Sequence, residues 1–245
     1  MKKKLLIACC TLLAACALGI GGFYGVRGYL RSLPPKGEPE IHESGGICED
    51  FISIVSGKTN YFIATSELIV RGTFTGETDG PKFLDACIPF SCEGFHVTEV
   101  YKGDCKPGDD IAFARIGGEV SLYQMLKDAE KLGIEDAAYA RNAGFSKGLK
   151  SYDLKKDSIY RLDPEAKKKY ELPKSEEYVL FLYRDTMWDC YSVGITQAYH
   201  IRKVNEQGEV WNPFDEEYET IDWDVATKLT KEDVLSKRKK VANYK

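Results

Sequence analysis

No motif in this chain of 245 residues names a reaction. There is no G-x-S-x-G elbow to strain a nucleophilic serine, and no glycine-rich loop ahead of a helix to cradle a phosphate. Histidine is scarce, with three in the whole chain: His42, His96 and His200. Positive charge is missing from most of the molecule as well. Residues 1–31 hold five basic groups and no acid, which leaves 29 basic against 38 acidic groups beyond them, a net −9. Nucleic-acid binding depends on neutralising phosphates with surplus Lys and Arg, so the acidic body argues against it. The body is also repelled by an anionic lipid surface. Disordered-chain composition is absent too: at 43% hydrophobic and 12% aromatic, a folded core is required.

What is present begins with the N-terminus. Leu5 to Val26 is a run of 22 residues without a charge. At about 1.5 Å per helical residue it is long enough for a hydrocarbon core of roughly 30 Å. Lys2, Lys3 and Lys4 precede it, which predicts that the N-terminus stays in the cytoplasm and all that follows Arg27 is exported. Three fates fit the segment. It is retained as a transmembrane helix; or Leu13-Ala14-Ala15-Cys16 acts as a lipobox and the Cys16 thiol takes a lipid; or it is cleaved after a small residue. The apolar stretch after Cys16, continuous to Val26, favours the retained helix, because a lipidated cysteine is normally followed by a polar stretch. Residues 1–31 are thus read as signal or membrane anchor, and 32–47 as a stalk whose Pro34, Pro35 and Pro39 favour an extended spacer.

Residues 48–229 read as one ectodomain, with a C-terminal helix over 230–245. Strand character appears at Glu67–Phe74, Phe95–Tyr101 and Asp110–Arg115, each bounded by Gly, Pro or Asp turns. Tyr178–Tyr183 is apolar at every position and predicts a central strand; Cys190–Val193, Ala198–Ile201 and Glu209–Trp211 follow. Between the two groups lies a helical insertion of about 119–175. Ser121 and Gln124 make a capping pattern ahead of Leu122, Met125, Leu126, Ala129 and Leu132, and Gly133 offers the left-handed stop. A second helical piece is expected over Ile134–Ala143, with loop from there to about Lys174. Thr230 with Asp233 predicts the cap of a helix running through Lys240. The fold expected is mainly β, a β-rich α+β chain forming a small OB-like or Greek-key barrel behind an N-terminal transmembrane helix, since closure removes exposed sheet edges. A β-sandwich is the alternative.

Ser66–Gly72, Val97–Asp104, Gly117-Gly118, Glu177–Leu182 and Gly194–Ile201, in that order, resemble segments of exported bacterial membrane-anchored proteins. The order is also similar to the netrin-like module of tissue inhibitors of metalloproteinases, an OB-type barrel. The resemblance spans about residues 60 to 212. It implies the barrel but not inhibition: those inhibitors chelate a protease zinc with a cysteine at the mature N-terminus, and Cys48 lies behind an anchor and a stalk.

Five cysteines lie outside the apolar segment: Cys48, Cys87, Cys92, Cys105 and Cys190. Export permits disulfides, and a Cys87–Cys92 bridge would clip a tight loop before the Phe95 strand. Cys48 with Cys105 or Cys190 is an alternative pairing, and reduced buried thiols are another. Cys87, Cys92, His96 and Cys105 carry zinc-binding atoms, but their spacing is no recognised knuckle and strand alternation turns His96 away, so no metal or cofactor is expected. Paired carboxylates at Asp109-Asp110 and Asp215-Glu216-Glu217 sit in turn contexts. Aromatics concentrate near the C-terminus. Trp211, Phe214, Tyr218 and Trp223, among the acids Asp215, Glu216, Glu217, Asp222 and Asp224, suggest a face for an envelope protein, a peptide or a glycan. The expectation is an extracytoplasmic, membrane-anchored bacterial binding module with no catalytic residue. The alternative is an envelope hydrolase using Cys105 or Cys190 with His200.

Overall fold

The computed structural model describes residues 38–44, 59–85, 87–134, 158–194 and 197–234, with the single residues Gly25 and Tyr29. The expected anchor (Gly25 and Tyr29 apart), Cys16, most of the stalk, Cys48, the helical piece beyond Ile134 and the end of the C-terminal helix lie outside them. Among the described residues no helix is long and apolar enough to cross a membrane.

The described chain is mainly β. Its strands are β1 (Glu40–Ser44), β2 (Leu68–Glu77), β3 (Phe83–Asp85), β4 (Ile88–Lys102), β5 (Asp110–Ile116), β6 (Glu119–Ser121), β7 (Ser158–Leu162), β8 (Tyr178–Asp185), β9 (Cys190–Ser192), β10 (Ile201–Lys203), β11 (Val210–Asn212) and β12 (Glu217–Glu219). The helices between them are α1 (Thr59–Thr65), α2 (Leu122–Lys131), α3 (Pro164–Lys169), α4 (Gln197–His200) and, after β12, α5 (Trp223–Ala226). The main sheet runs β10-β8-β2-β4-β5-β9. All its pairings are antiparallel except β5 with β9. β9 pairs with β8 as well as with β5, so the path of pairing β8-β2-β4-β5-β9 returns to its start and the sheet is partly ring-like. A second sheet, β1-β7-β6, lies beside it, and β11 and β12 form a hairpin.

The central strand is explained by its side chains. In β8, Tyr178, Leu180 and Leu182 face one core cluster, with Leu68, Val70, Phe74, Phe95, Val97 and Phe113. Val179 and Phe181 face another, with Phe62, Ile63, Ile69, Val204 and Val210. Burial on both faces removes any alternation of polar residues, which is why the run reads as continuously apolar. A third cluster gathers Phe83, Phe90, Cys92, Ala114, Trp188 and Cys190 with Leu122, Met125 and Ala129 of α2.

Two long strands bend against each other. β2 and β4 shift register three times, and at one shift Gly72 lies against His96, where a Cβ would stand 1.9 Å from the His96 carbonyl oxygen. Only glycine lets the backbones approach so closely. Lys102, at the end of β4, donates from Nζ to the carbonyls of Ile63 (2.9 Å) and Ala64 (3.3 Å), satisfying acceptors near the end of α1.

Helix α2 begins as expected: Ser121 accepts from the backbone of Gln124 (3.3 Å), and Gly133 adopts φ +71°. Elsewhere the expectations need correction. Ala198–Ile201 is not a strand; α4 occupies Gln197–His200 and extension starts only at Ile201. The supposed loop up to Lys174 contains β7 and α3, the latter capped by Asp163, whose side chain accepts from the Ala166 backbone (2.8 Å), with Pro164 in the first turn. At the other end, Thr230 and Asp233 make the reciprocal bonds of a cap ahead of helical residues 231–234.

Candidate functional site

The aromatic C-terminal region is built on an Asn-made turn. Asn205 accepts through Oδ1 from the backbones of Gln207 (3.1 Å) and Glu209 (2.9 Å), and Gly208 takes φ +80°, reversing the chain between β10 and β11. The next reversal repeats the device. The Oδ1 of buried Asn212 accepts from the Phe214 backbone (3.0 Å), its Nδ2 donates to Asp215 (2.9 Å), and Glu216 sits at φ +55°. This turn sets β11 against β12 and brings Trp211 directly opposite Tyr218. Their rings meet edge to face with centroids 5.2 Å apart, and both side chains remain half-buried.

The four aromatic residues singled out in the sequence divide into two pairs. Phe214 lies 4.8 Å from Tyr199 and 5.8 Å from Phe62, and Trp223 stacks on Tyr101 at 4.0 Å. Those two pack against the core around Phe181 and close it. Trp211 and Tyr218 belong to no core cluster, and exposed Asp215, Glu216 and Glu217 follow in the same hairpin. The acids Asp222 and Asp224 are exposed beside Trp223, where Asp222 caps α5 by accepting from the Val225 backbone (3.2 Å).

The hairpin is fixed to the body by a residue the sequence did not single out. Arg202 of β10 is fully buried, its guanidinium carbon 4.8 Å from the Phe181 ring centre, 5.5 Å from Phe62 and 5.7 Å from Phe214. Its Nε donates to the Tyr199 carbonyl (3.0 Å) and its Nη1 to the Thr59 hydroxyl (2.8 Å), and that hydroxyl donates to Glu219 of β12 (2.6 Å). Glu219 also lies 3.5 Å from Nη1. Burial pulls the arginine pKa down to about 10 against the raising effect of Glu219, so the group keeps its charge at neutral pH. Its sequence context gives no signal, since Arg202 stands beside Lys203 just after Ala198-Tyr199-His200-Ile201, as an ordinary cation at a strand end would.

The histidines stand apart. His42 stacks on Tyr160 at 4.6 Å in the second sheet. His96 pairs with Asp110 (2.8 Å) at an exposed strand end. His200 is buried, with Nδ1 on the Phe181 carbonyl (2.5 Å) and the Phe62 ring edge-on at 4.8 Å. Burial holds its imidazole pKa down to about 4, over the raising effect of that carbonyl, so it is neutral at pH 7. Cys190 lies in the core cluster with Cys92, while Cys105 borders a different one and its thiol faces Asp109 (3.6 Å). The structure therefore does not bring His200 together with either cysteine.

The expected Cys87–Cys92 clip is corrected by backbone geometry. Cys87 immediately precedes β4 and Cys92 is the fifth residue of that strand. An extended strand rises about 3.3 Å per residue, which carries the two Cα atoms far beyond the roughly 7 Å limit for a disulfide. Among the described residues no group of three or more His, Cys, Asp or Glu could hold a metal ion. The chain matches no family model, no curated protein and no solved structure.

Proposed function

We propose that this protein is a membrane-anchored, extracytoplasmic bacterial binding module without catalysis, whose body is an OB-type barrel of the netrin-like kind. The observation that carries the binding reading is the Trp211–Tyr218 pair: two aromatic rings left half-buried outside every core cluster, on a hairpin followed by exposed acids and fastened by Arg202 and Glu219. Amphipathic rings of this kind supply contact area at little entropic cost, and the acids favour a cationic or hydroxyl-rich partner in the envelope: a protein, a peptide or a glycan.

The barrel reading is supported by the strand order. Counting only β2, β4, β5, β8 and β9 as first to fifth, the ring of pairing runs first-second-third-fifth-fourth, and the third and fifth are parallel. A sandwich has no need of a strand that pairs with both of its sheets' edges, as β9 does. The anchor reading is supported by the basic start and the uncharged run Leu5–Val26. The contacts of His200 are with the Phe181 carbonyl, Phe62 and Tyr183 and not with Cys105 or Cys190, which favours binding over hydrolysis.

Photo-crosslinking from a probe placed at Tyr218 in cells, followed by membrane extraction, tests the binding face. A discrete adduct is expected, lost in Trp211→Ala, while a probe at Lys106 on an unrelated loop gives none. The same adducts from both positions, or none from Tyr218 in a folded protein, would overturn the assignment.

A further inference from the structure

The hairpin of β11 and β12 carries charge that its own surroundings leave uncompensated. Residues 204–227 hold eight acids and no lysine, arginine or histidine. Two of the eight are engaged: Glu219 with Thr59 and Arg202, and Glu209 with Asn205 (2.8 Å). The other six, Glu206, Asp215, Glu216, Glu217, Asp222 and Asp224, are exposed, and among the described residues none of them is in an ion pair. Elsewhere on the body acids do meet cations: Glu77 with Lys82, Glu93 with Arg115, Glu43 with Arg161, and Glu176 with Lys203, the last cation before the hairpin.

Strand alternation shows which way the hairpin faces. Glu219 turns toward Thr59 and Arg202 in the body, so the adjacent Tyr218, and Trp211 opposite it, turn away. Acids bracket that ring pair, with Glu206 in the turn before β11 and Asp215 and Glu216 in the turn before β12. The same chain supplies the complement. Past Val234, where the described residues end, residues 235–245 carry Lys237, Arg238, Lys239, Lys240 and Lys245 and no acid. They leave from beside the hairpin: Ile221, Trp223 and Ala226 pack in the cluster that holds Val210 and Phe214, and the chain continues through the backbone bonds of Leu229 to Ala226 (3.1 Å) and Val234 to Thr230 (3.3 Å). From Val234 a fully extended chain reaches Lys240 at up to about 20 Å, longer than the roughly 10 Å of a three-residue strand.

We propose that the basic segment Lys237–Lys240 docks on the acidic outer face of this hairpin within the same chain, an autoinhibitory contact that covers Trp211 and Tyr218 until a partner displaces it. The inference rests on reading that face as the binding site. Lysine and arginine suit both of its components, pairing with the carboxylates and lying over the aromatic faces. Exposed ion pairs are individually weak. Attachment to the same chain offsets this, because a short connection holds the segment at an effective concentration of about 1 mM. A contact of that strength fills the face about half the time, which lowers the apparent affinity for a partner yet lets the partner win. The net −9 beyond residue 31 opposes the approach of a second copy and favours the contact within one chain.

The test places a photo-crosslinking residue at Tyr218 in the purified full-length chain, dilute, in detergent and at low salt. Mass spectrometry should find an adduct joining position 218 to residues 235–245 within one chain. Its yield should fall several-fold in about 0.5 M salt, and equally in a variant combining Lys237→Gln, Arg238→Gln, Lys239→Gln and Lys240→Gln. In cells the same variant should raise the partner adduct from Tyr218 about twofold, by freeing the half of the faces that the segment covers. No adduct to 235–245 overturns the proposal, provided that carbodiimide still couples Lys203 to Glu176 and so reports a folded chain. An adduct formed only between two chains assigns the face to a second copy and also overturns it. So does an adduct that vanishes when phosphatidylglycerol vesicles are added and the chain sediments with them, which assigns the segment to lipid. The purified-chain adduct needs no partner. Its presence without a partner adduct in cells refutes the binding reading alone, and its absence beside a partner adduct refutes the autoinhibition alone.

Discussion

His200 illustrates how one buried side chain sets a pH limit. Its imidazole is held neutral, with a folded-state pKa of about 4 against about 6.5 in an unfolded chain. A lowered folded pKa means that the unfolded state binds the proton first as pH falls. The stabilising contribution is therefore complete above about pH 6.5 and is lost progressively down to pH 4, by up to about 3 kcal/mol. Urea unfolding at pH steps from 7 to 4 should show this decline. His200→Asn, which keeps a nitrogen to donate to the Phe181 carbonyl but does not titrate, should lose less across the same window; an unchanged slope would remove His200 as the cause. Arg202 is the opposite case, a cation kept charged inside by three aromatic faces and Glu219. Neither environment was legible in the sequence, because a charged residue after an apolar run reads as a strand end. What buries Arg202 comes from Thr59, Phe181 and Phe214, distant positions that only the fold assembles.

Elements with a strong local signal were legible. The apolar run of β8, the turn-bounded β2 and β5, and the capped stripe of α2 all appear where their residues predict them. Ser121→Ala should remove the acceptor for the Gln124 backbone and cost about 1 kcal/mol, seen as a lower urea midpoint with unchanged slope; a Ser121→Asp variant should restore it. Elements held by partners were not legible. β7 alternates half-buried and buried residues and pairs with β1 and β6, both short and far away in sequence. α3 is short and lysine-rich, so its one buried alanine offered no periodicity. α4 was misread because Ala198-Tyr199-His200-Ile201 has local strand character, yet Tyr199 and His200 must turn to meet Phe62 and reach the Phe181 carbonyl. The candidate face was half legible: the aromatics and acids are consecutive in the chain, but only packing separates Phe214 and Trp223, which close the core, from Trp211 and Tyr218.

At the scale of the whole molecule, a basic, uncharged-cored N-terminus precedes an acidic body, and the proposed arrangement is an anchor with an ectodomain outside the membrane. Protease added to intact spheroplasts should remove a C-terminal epitope, and mass spectrometry of the mature protein should find Met1 retained; a diacylated Cys16 would replace the helical anchor with a lipid one, and an epitope protected until lysis would reverse the topology. For a tethered body, β1 acquires a mechanical meaning. It is the first described strand and lies within the stretch read as stalk, residues 32–47, so that this part of the expected spacer is paired into a sheet: it runs parallel to β7 over five residue pairs, with Arg161 of β7 clasping Glu43 of β1 (2.6 Å). A pull from the membrane side loads that ladder along its length, so its hydrogen bonds resist together rather than peeling singly. Drag or tension on the tether would then be borne by the small second sheet, leaving the ring of strands and its aromatic hairpin undeformed.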